Sequence, residues 1–385
     1  MFSSFSTRLR AEVDTVRLVL DAHESMRALV YQPEGLVPPA VQDEAHLEQI
    51  RRSGLVKPAW QIYDHCAAFT RLYAIYEQFV EDIASDYLRV LPQIYKQFGD
   101  LPQNVRTQLR LGIGQILGKL GKEGPYKDLA ENQVIEGWAQ GLLGHSPYSL
   151  LSDAFLIDPQ NYRAATLANL FRYLGLEDCW TWIEKHPAMI AYMTRERDAN
   201  ETPKTLLHDF VEYRNKASHT GVREIVATEE IKSIAEYVTI LCETLSQLLM
   251  KRVVQRRIEL GEAVRVGSVI HRFSDFVVGA RMSVGSIITG DELVILHKQS
   301  CQTVKVASLQ IGETPYEKID LAEGQEIGIK LTARANEGAE LIRVSPPQQA
   351  LLTENLPERI SPDDYPLEVP TEAASEAQVD SEEGT

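Results

Sequence analysis

Tyr213-Arg214-Asn215-Lys216-Ala217-Ser218-His219-Thr220-Gly221 closes a segment that opens at Thr202-Pro203. Thr202 suits an N-cap and Pro203 the first helical position, where a missing N–H costs nothing, so the segment is predicted to be a helix. Leu206, Phe210, Tyr213 and Ala217 form one stripe along it, with Leu207, Val211, Arg214 and Ser218 beside them. Arg214 therefore belongs on the shoulder of the buried face, its stem packed and its head free. In a continuous helix, five steps of about 100° carry His219 roughly 140° around from Arg214. The two converge only if the helix frays or bends near its end, or if a second copy completes the site. Gly221 is a natural terminator for such a bend.

A guanidinium and an imidazole so placed offer a phosphate clamp and a proton carrier, the two jobs of metal-free RNA cleavage. Spacing alone says little. Arg, four to six residues, then His occurs three times in the chain, and neither Arg17 to His23 nor Arg265 to His271 has a supporting setting. The plain alternative at the third copy is a cationic last turn, with Arg214, Lys216 and His219 favoured by the helix dipole alone.

The surrounding chain reads as a helical bundle. Residues 5 to 31 keep helical spacing through Leu9, Val13, Val16, Leu20 and Met26, until the prolines of Gln32 to Pro39 break it. This arm is expected to serve packing or dimerisation. Trp60, Tyr63, Ala67, Leu72, Ile75, Tyr76, Phe79, Ile83 and Tyr87 predict a long helix that Pro92 stops. Glu77 falls one position after Tyr76, either on the solvated edge or placed to orient Arg214 or His219. Residues 104 to 150 predict two short helices around Gly112-Ile113-Gly114 and the Gly118 to Gly124 region, without the GK[ST] ending of a phosphate-binding loop. His145 and His186 read as caps or loop residues. Thr228 is expected to cap a core helix through Ile231, Ile234, Val238, Leu241, Leu245 and Leu249, which leaves through Lys251-Arg252 and Arg256-Arg257. That basic run is a solvated helix end or a phosphate contact.

Arg214-Asn215 followed by His219, on an amphipathic helix with another long helix behind it, resembles the HEPN superfamily. Leu72-Tyr73-Ala74-Ile75-Tyr76-Glu77-Gln78-Phe79-Val80 is similar to the opening helix of bacterial stand-alone and conflict-system members. The likeness spans roughly 60 to 260 and is most specific at 206–221. It implies an α-helical bundle that dimerises, pairing two Arg/His motifs across a two-fold axis. Many such proteins are metal-independent endoribonucleases and some are inactive binding modules. The stretch from Asn104 to Tyr148 departs from the minimal four-helix pattern and reads as an elaboration.

From Gly261 the apolar period changes to two. Ala263 to Ile270, Phe276 to Ala280, Glu292 to Leu296, Val304 to Val306 and Ile327 to Lys330, with glycine-marked turns, predict a small closed β-barrel. Val266-Gly267-Ser268-Val269-Ile270-His271-Arg272-Phe273, Ile288-Thr289-Gly290-Asp291-Glu292-Leu293 and Ala322-Glu323-Gly324-Gln325-Glu326-Ile327 make residues 262 to 345 resemble the second-domain barrel of translational GTPases. That resemblance implies contact with tRNA or ribosomal RNA. No GTPase motif precedes it, and a generic packing or protein-binding unit fits as well.

Composition sets the outer bounds. Among 385 residues, a hydrophobic share of 44% with 24% charged suits a globular chain of two or three domains. No apolar run is long enough to span a bilayer, and Met1 to Arg10 lacks the apolar core of a signal peptide. Cys66, Cys179, Cys242 and Cys301 are scattered without metal spacing, which points to a reducing cytoplasm and buried thiols. The net charge of −16 is concentrated in residues 351–385, where ten acids face one base, Arg359. Such a tail cannot bury enough surface to fold and is expected to be disordered, as a solubiliser or an occupant of a basic groove.

The expectation is therefore a multidomain α+β chain. Residues 1–59 form a helical arm and linker, and 60–260 a HEPN-like bundle with an insertion at about 100–150. A translation-factor-like barrel over 261–346 and a disordered acidic tail over 347–385 follow. Arg214 and His219 are the expected catalytic pair of a metal-independent endoribonuclease, with Asn215, Glu77 and Ser218 in support. Lys216, Lys251, Arg252, Arg256 and Arg257 are the expected RNA contacts, and neither metal nor cofactor is called for. The partners expected are an RNA substrate from the tRNA, ribosomal or translation-associated pool, a second copy of the chain, and a translation, antitoxin or defence protein, with no membrane. A dimeric, non-catalytic RNA- or protein-binding scaffold is the competing expectation, and a nucleotidyltransferase-partnered toxin module a third.

Overall fold

The computed structural model describes residues 2–31, 49–50, 52–122, 124, 126–145, 147–157, 161–219 and 225–344. The acidic tail and the proline-rich breaker at 32–39 lie outside the described residues, as do Thr220 and Gly221.

Four long helices make the bundle: α1 (Ser3–Val30), α2 (Lys57–Ile94), α8 (Pro203–His219) and α9 (Thr228–Glu259). Between α2 and α8 come α3 (Gln103–Leu117), α4 (Glu131–Leu142), α5 (Ala164–Tyr173), α6 (Cys179–Lys185) and α7 (Pro187–Glu196). α2 and α9 run parallel, since Val226 N–H donates to His65 Nδ1 at 3.2 Å at one end and Arg256 Nε to the Ile94 carbonyl at 3.1 Å at the other. α1 and α8 run against both. Arg10 meets Glu243 at 2.5 Å while Arg71 meets Glu12 at 3.1 Å, and the Tyr237 hydroxyl donates to the Pro203 carbonyl at 2.6 Å.

α1 is a full member of this core. Leu9, Val13, Val16 and Leu20 are buried against α2 and α9. Met26 is 41% exposed, and the neighbouring Arg27 takes the inward position instead, at 2%. The same displacement opens α2, where Tyr63, expected in the core, is 74% exposed and Asp64 and His65 are buried in its place. Arg27 Nη1 donates to Asp64 Oδ2, and His23 Nδ1 lies 2.8 Å from Asp64 Oδ1. Burial, aided by the charge of Arg27, holds the His65 imidazole below its ordinary range. Pro92 does not stop α2, which runs two residues further to Ile94. A proline in a last turn forfeits one backbone bond, and burial of Leu91 and Ile94 offsets that loss. Thr228 is the first helical residue of α9 rather than its cap, the cap position falling to Ala227.

The elaboration joins the same core through Val105, Leu109, Ile113 and Ile116 of α3. Gly112 is required there: a Cβ at this position would stand 2.0 Å from the Ala154 carbonyl oxygen and 2.7 Å from Ala154 Cα. Gly112→Ala is thus expected to force α3 off residues 152–154 and to lower stability by about 1–3 kcal/mol, read as a lower urea midpoint with an unchanged slope. An unshifted midpoint would mean that this contact yields freely.

The barrel follows as β1 (Ala263–Arg272), β2 (Val277–Met282), β4 (Glu292–His297), β5 (Ser300–Ile311), β8 (Glu326–Leu331) and β9 (Glu340–Val344). These six antiparallel strands close in the order β4-β9-β1-β2-β8-β5, with β5 returning to β4. β3 (Gly285–Ile288) pairs with β7 (Lys318–Leu321) as a flap, and β6 (Thr314–Tyr316) folds back to pair antiparallel with the end of β5. β4 explains how bundle and barrel adhere. Leu293 and Ile295 point into the barrel core, whereas Val294 and Leu296 join the core of the bundle with Cys301 and Ile342. A strand covered on both faces reads as an unbroken apolar run, as Leu293-Val294-Ile295-Leu296 does.

Candidate functional site

The site is assembled where α8 crosses the middle of α2. α8 starts as its sequence requires, with Thr205 N–H donating to Thr202 Oγ1 at 3.2 Å. Leu206, Leu207, Phe210 and Val211 are buried, Arg214 and Asn215 are half-buried, and Lys216 and Ser218 are exposed. The helix continues unbroken through His219, its last residue. The side chain of His219 lies outside the described residues.

Arg214 lies over an aromatic floor. Its Cζ stands 3.9 Å from the centroid of the Tyr73 ring, close enough for a strong cation–π contact. Its Nη1 donates to Asn161 Oδ1 at 2.8 Å and to Asn215 Oδ1 at 3.0 Å. Tyr73 is itself fixed: its hydroxyl donates to Glu77 Oε1 at 3.1 Å and accepts from Tyr162 N–H at 2.9 Å. Glu77 thus reaches Arg214 through the tyrosine between them, one turn apart on α2. Burial, then the negative charge of Glu77, pushes the Tyr73 hydroxyl well above its ordinary range, so it stays a neutral donor. Tyr162 repeats the device, donating to Glu81 at 3.3 Å while its carbonyl accepts from the Tyr76 hydroxyl at 2.9 Å. Next to this, Tyr213 stacks on Phe69 with centroids 4.0 Å apart, and Arg163 pairs with Glu212 at 2.6 Å.

Tyr73 and Asn161 were not expected here. Tyr73 lies four residues before Glu77 on the α2 face that meets α8, a relation visible once the two helices are paired. Asn161 sits in a loop, and no local signal marks it.

The basic run at the end of α9 lies elsewhere. Arg256 Nε donates to the Ile94 carbonyl and Arg252 to the Tyr95 hydroxyl at 3.0 Å, 22 residues along the chain from Tyr73. At 1.5 Å per residue that is about 33 Å down α2. Lys251 donates to the Lys298 carbonyl at 2.7 Å, Arg256 pairs with Glu259 at 2.8 Å, and Arg257 is only 7% exposed. Lys251, Arg252 and Arg256 thus serve first as anchors among α9, the end of α2 and the barrel.

Among the described residues no three His, Cys, Asp or Glu side chains form a metal-binding group, and no helix is long and apolar enough to cross a membrane. Burial pushes the Cys179 and Cys301 thiols up to about 12, which leaves them chemically quiet.

The bundle matches the family model described as MAE_28990-like HEPN over residues 8–258. The chain belongs to the HEPN family. The match begins within α1 and runs through the elaboration between α2 and α8, so both are part of the family region rather than attachments to it. The barrel lies beyond the matched residues. No curated protein matches the chain.

Proposed function

We propose that this HEPN protein is a homodimeric, metal-independent endoribonuclease. The observation that carries the reading is the presentation of Arg214: a guanidinium held over Tyr73 within the HEPN region, on a helix that is continuous through His219. A continuous helix keeps the two side chains roughly 140° apart in one chain, so a facing copy is the route by which they meet. Both hydrogen bonds of Arg214 leave from Nη1, and among the described residues Nη2 and Nε remain as donors for a phosphate. In the reaction, a 2′-hydroxyl attacks the adjacent phosphorus as His219 removes its proton or delivers one to the departing 5′-oxygen. Arg214 offsets the charge gathering on the phosphorane. The P–O5′ bond breaks, leaving a 2′,3′-cyclic phosphate and a 5′-hydroxyl. Asn215 steadies Arg214 or a phosphate oxygen, with Lys216, Ser218 and Glu77 around them. The barrel, through its likeness to that of translational GTPases, aims the site at tRNA, ribosomal RNA or a translation complex, as a toxin or an anti-phage effector would be aimed.

Purified protein incubated with tRNA and ribosomal RNA in EDTA is expected to release discrete fragments with cyclic-phosphate ends, and His219→Ala protein none. Cleavage that survives His219→Ala, or that stops in EDTA, defeats the reading. One observation favours the non-catalytic scaffold: Arg214 is already stacked and bonded within its own chain, as a structural arginine would be. That scaffold predicts unchanged partner binding and cellular effect in His219→Ala.

A further inference from the structure

At the other end of α2, a cleft of about 500 Å³ opens between the start of α3, the loop after α5 and the last third of α9. Gln103, Asn104, Leu176, Glu177, Lys251 and Arg252 line it. Its volume falls within the range of small-ligand sites, about 300–1,000 Å³. The two cations are half-buried and hold only neutral partners. Lys251 sits 4.6 Å above the Trp182 ring and donates to the Lys298 carbonyl, while Arg252 donates to the Tyr95 hydroxyl. Among the described residues neither forms an ion pair, and the one carboxylate on the cleft wall, Glu177, is exposed. Desolvation without a counterion holds the Lys251 ammonium below its ordinary range. Two adjacent cations drawn out of water without an acid are costly unless an anion joins them. The first turn of α3, which no side chain caps, adds the positive end of a helix dipole to the same wall. The amides of Gln103 and Asn104 supply neutral donors and acceptors around that charge.

We propose that this cleft binds a small phosphorylated molecule, its phosphoryl group seated on Lys251 and Arg252. The site stands about 33 Å from Arg214 along α2 and does not depend on what Arg214 does. Phosphate could equally arrive on the end of an RNA, and the probes separate the two sources. The full chain is titrated calorimetrically with inorganic pyrophosphate, with ADP and with a 5′-phosphorylated RNA decamer. Lys251→Gln/Arg252→Gln removes the cations, while Asn104→Trp keeps them and fills the cleft. Pyrophosphate and ADP are expected to bind the wild type and raise its melting temperature, and each variant to bind them at least about tenfold more weakly. The proposal is overturned if neither small probe binds, if both variants bind them as the wild type does, or if only the RNA decamer binds in a way the variants lose.

Discussion

Arg214→Lys protein is expected to fold as the wild type does and to cleave RNA about 10²–10³-fold more slowly, the usual loss when one preorganised donor to a developing oxyanion is removed. The substitution keeps the positive charge, so a simple electrostatic role at a helix end would survive it. What it removes is shape. The guanidinium lies 3.9 Å over Tyr73 with one edge nitrogen spent on Asn161 and Asn215. That leaves Nη2 and Nε of a planar, fixed fork, which a lysine ammonium on a flexible stem cannot reproduce. Tyr73→Phe offers the intermediate case. It keeps the ring under the cation but loses the hydroxyl that joins Glu77 to the Tyr162 amide, so activity should fall less than in Arg214→Lys. Initial rates on a tRNA substrate, with circular dichroism to confirm folding, decide the matter. Full activity in Arg214→Lys would reduce this arginine to packing.

How much of this was legible differs from element to element, and for physical reasons. α8 could be read almost whole, because a proline start and a clean apolar stripe reflect local rules that the tertiary structure did not override. The bend considered near Gly221 falls outside the described residues, and within them the helix is continuous to His219. The barrel strands were legible where one face is wet and the other dry. β4 was found because it is covered on both faces, while β3, β6, β7 and β9, at three to five residues each, were too short or too close to turns to stand out. The end of α1 and the start of α2 follow a different logic. Apolar periodicity put Met26 and Tyr63 inward, whereas the protein buries Arg27, Asp64 and His65. A buried charge is indistinguishable from a solvated one in sequence, since only its partner on another helix makes the burial tolerable. The run from Lys251 to Arg257 poses the converse problem. Cations near a helix end suggest solvent or phosphate, and the carbonyls and hydroxyl that also receive Lys251, Arg252 and Arg256 belong to residues far away in the chain. At the site, Arg214 was placed by its helix, but its floor and its amide partner, Tyr73 and Asn161, come from α2 and from a loop. Only the packed bundle brings them together.

That buried charge carries the largest stability effect expected. Arg27→Met should destabilise the protein by about 3–5 kcal/mol, because it strands the Asp64 carboxylate, 4% exposed, without its counterion. The corresponding fall in Tm is roughly 4–7 °C. His23 cannot take over. Its Nδ1 already touches the other Asp64 oxygen at 2.8 Å, and its side chain is one-third exposed, so water screens that contact. The argument turns on the double variant. Arg27→Met/Asp64→Leu removes both desolvated charges and fills the space with apolar groups of similar size, and such exchanges are often neutral or stabilising. It should therefore be more stable than Arg27→Met alone, with a double-mutant cycle showing strong coupling. Urea denaturation of the wild type, both single variants and the double variant gives the four corners. If the double variant is as unstable as the sum of the singles, the pair contributes through shape rather than charge. The displaced register of α1 and α2 would then have to be explained by the fit of Leu20 and Ala68 around it, which both variants leave in place.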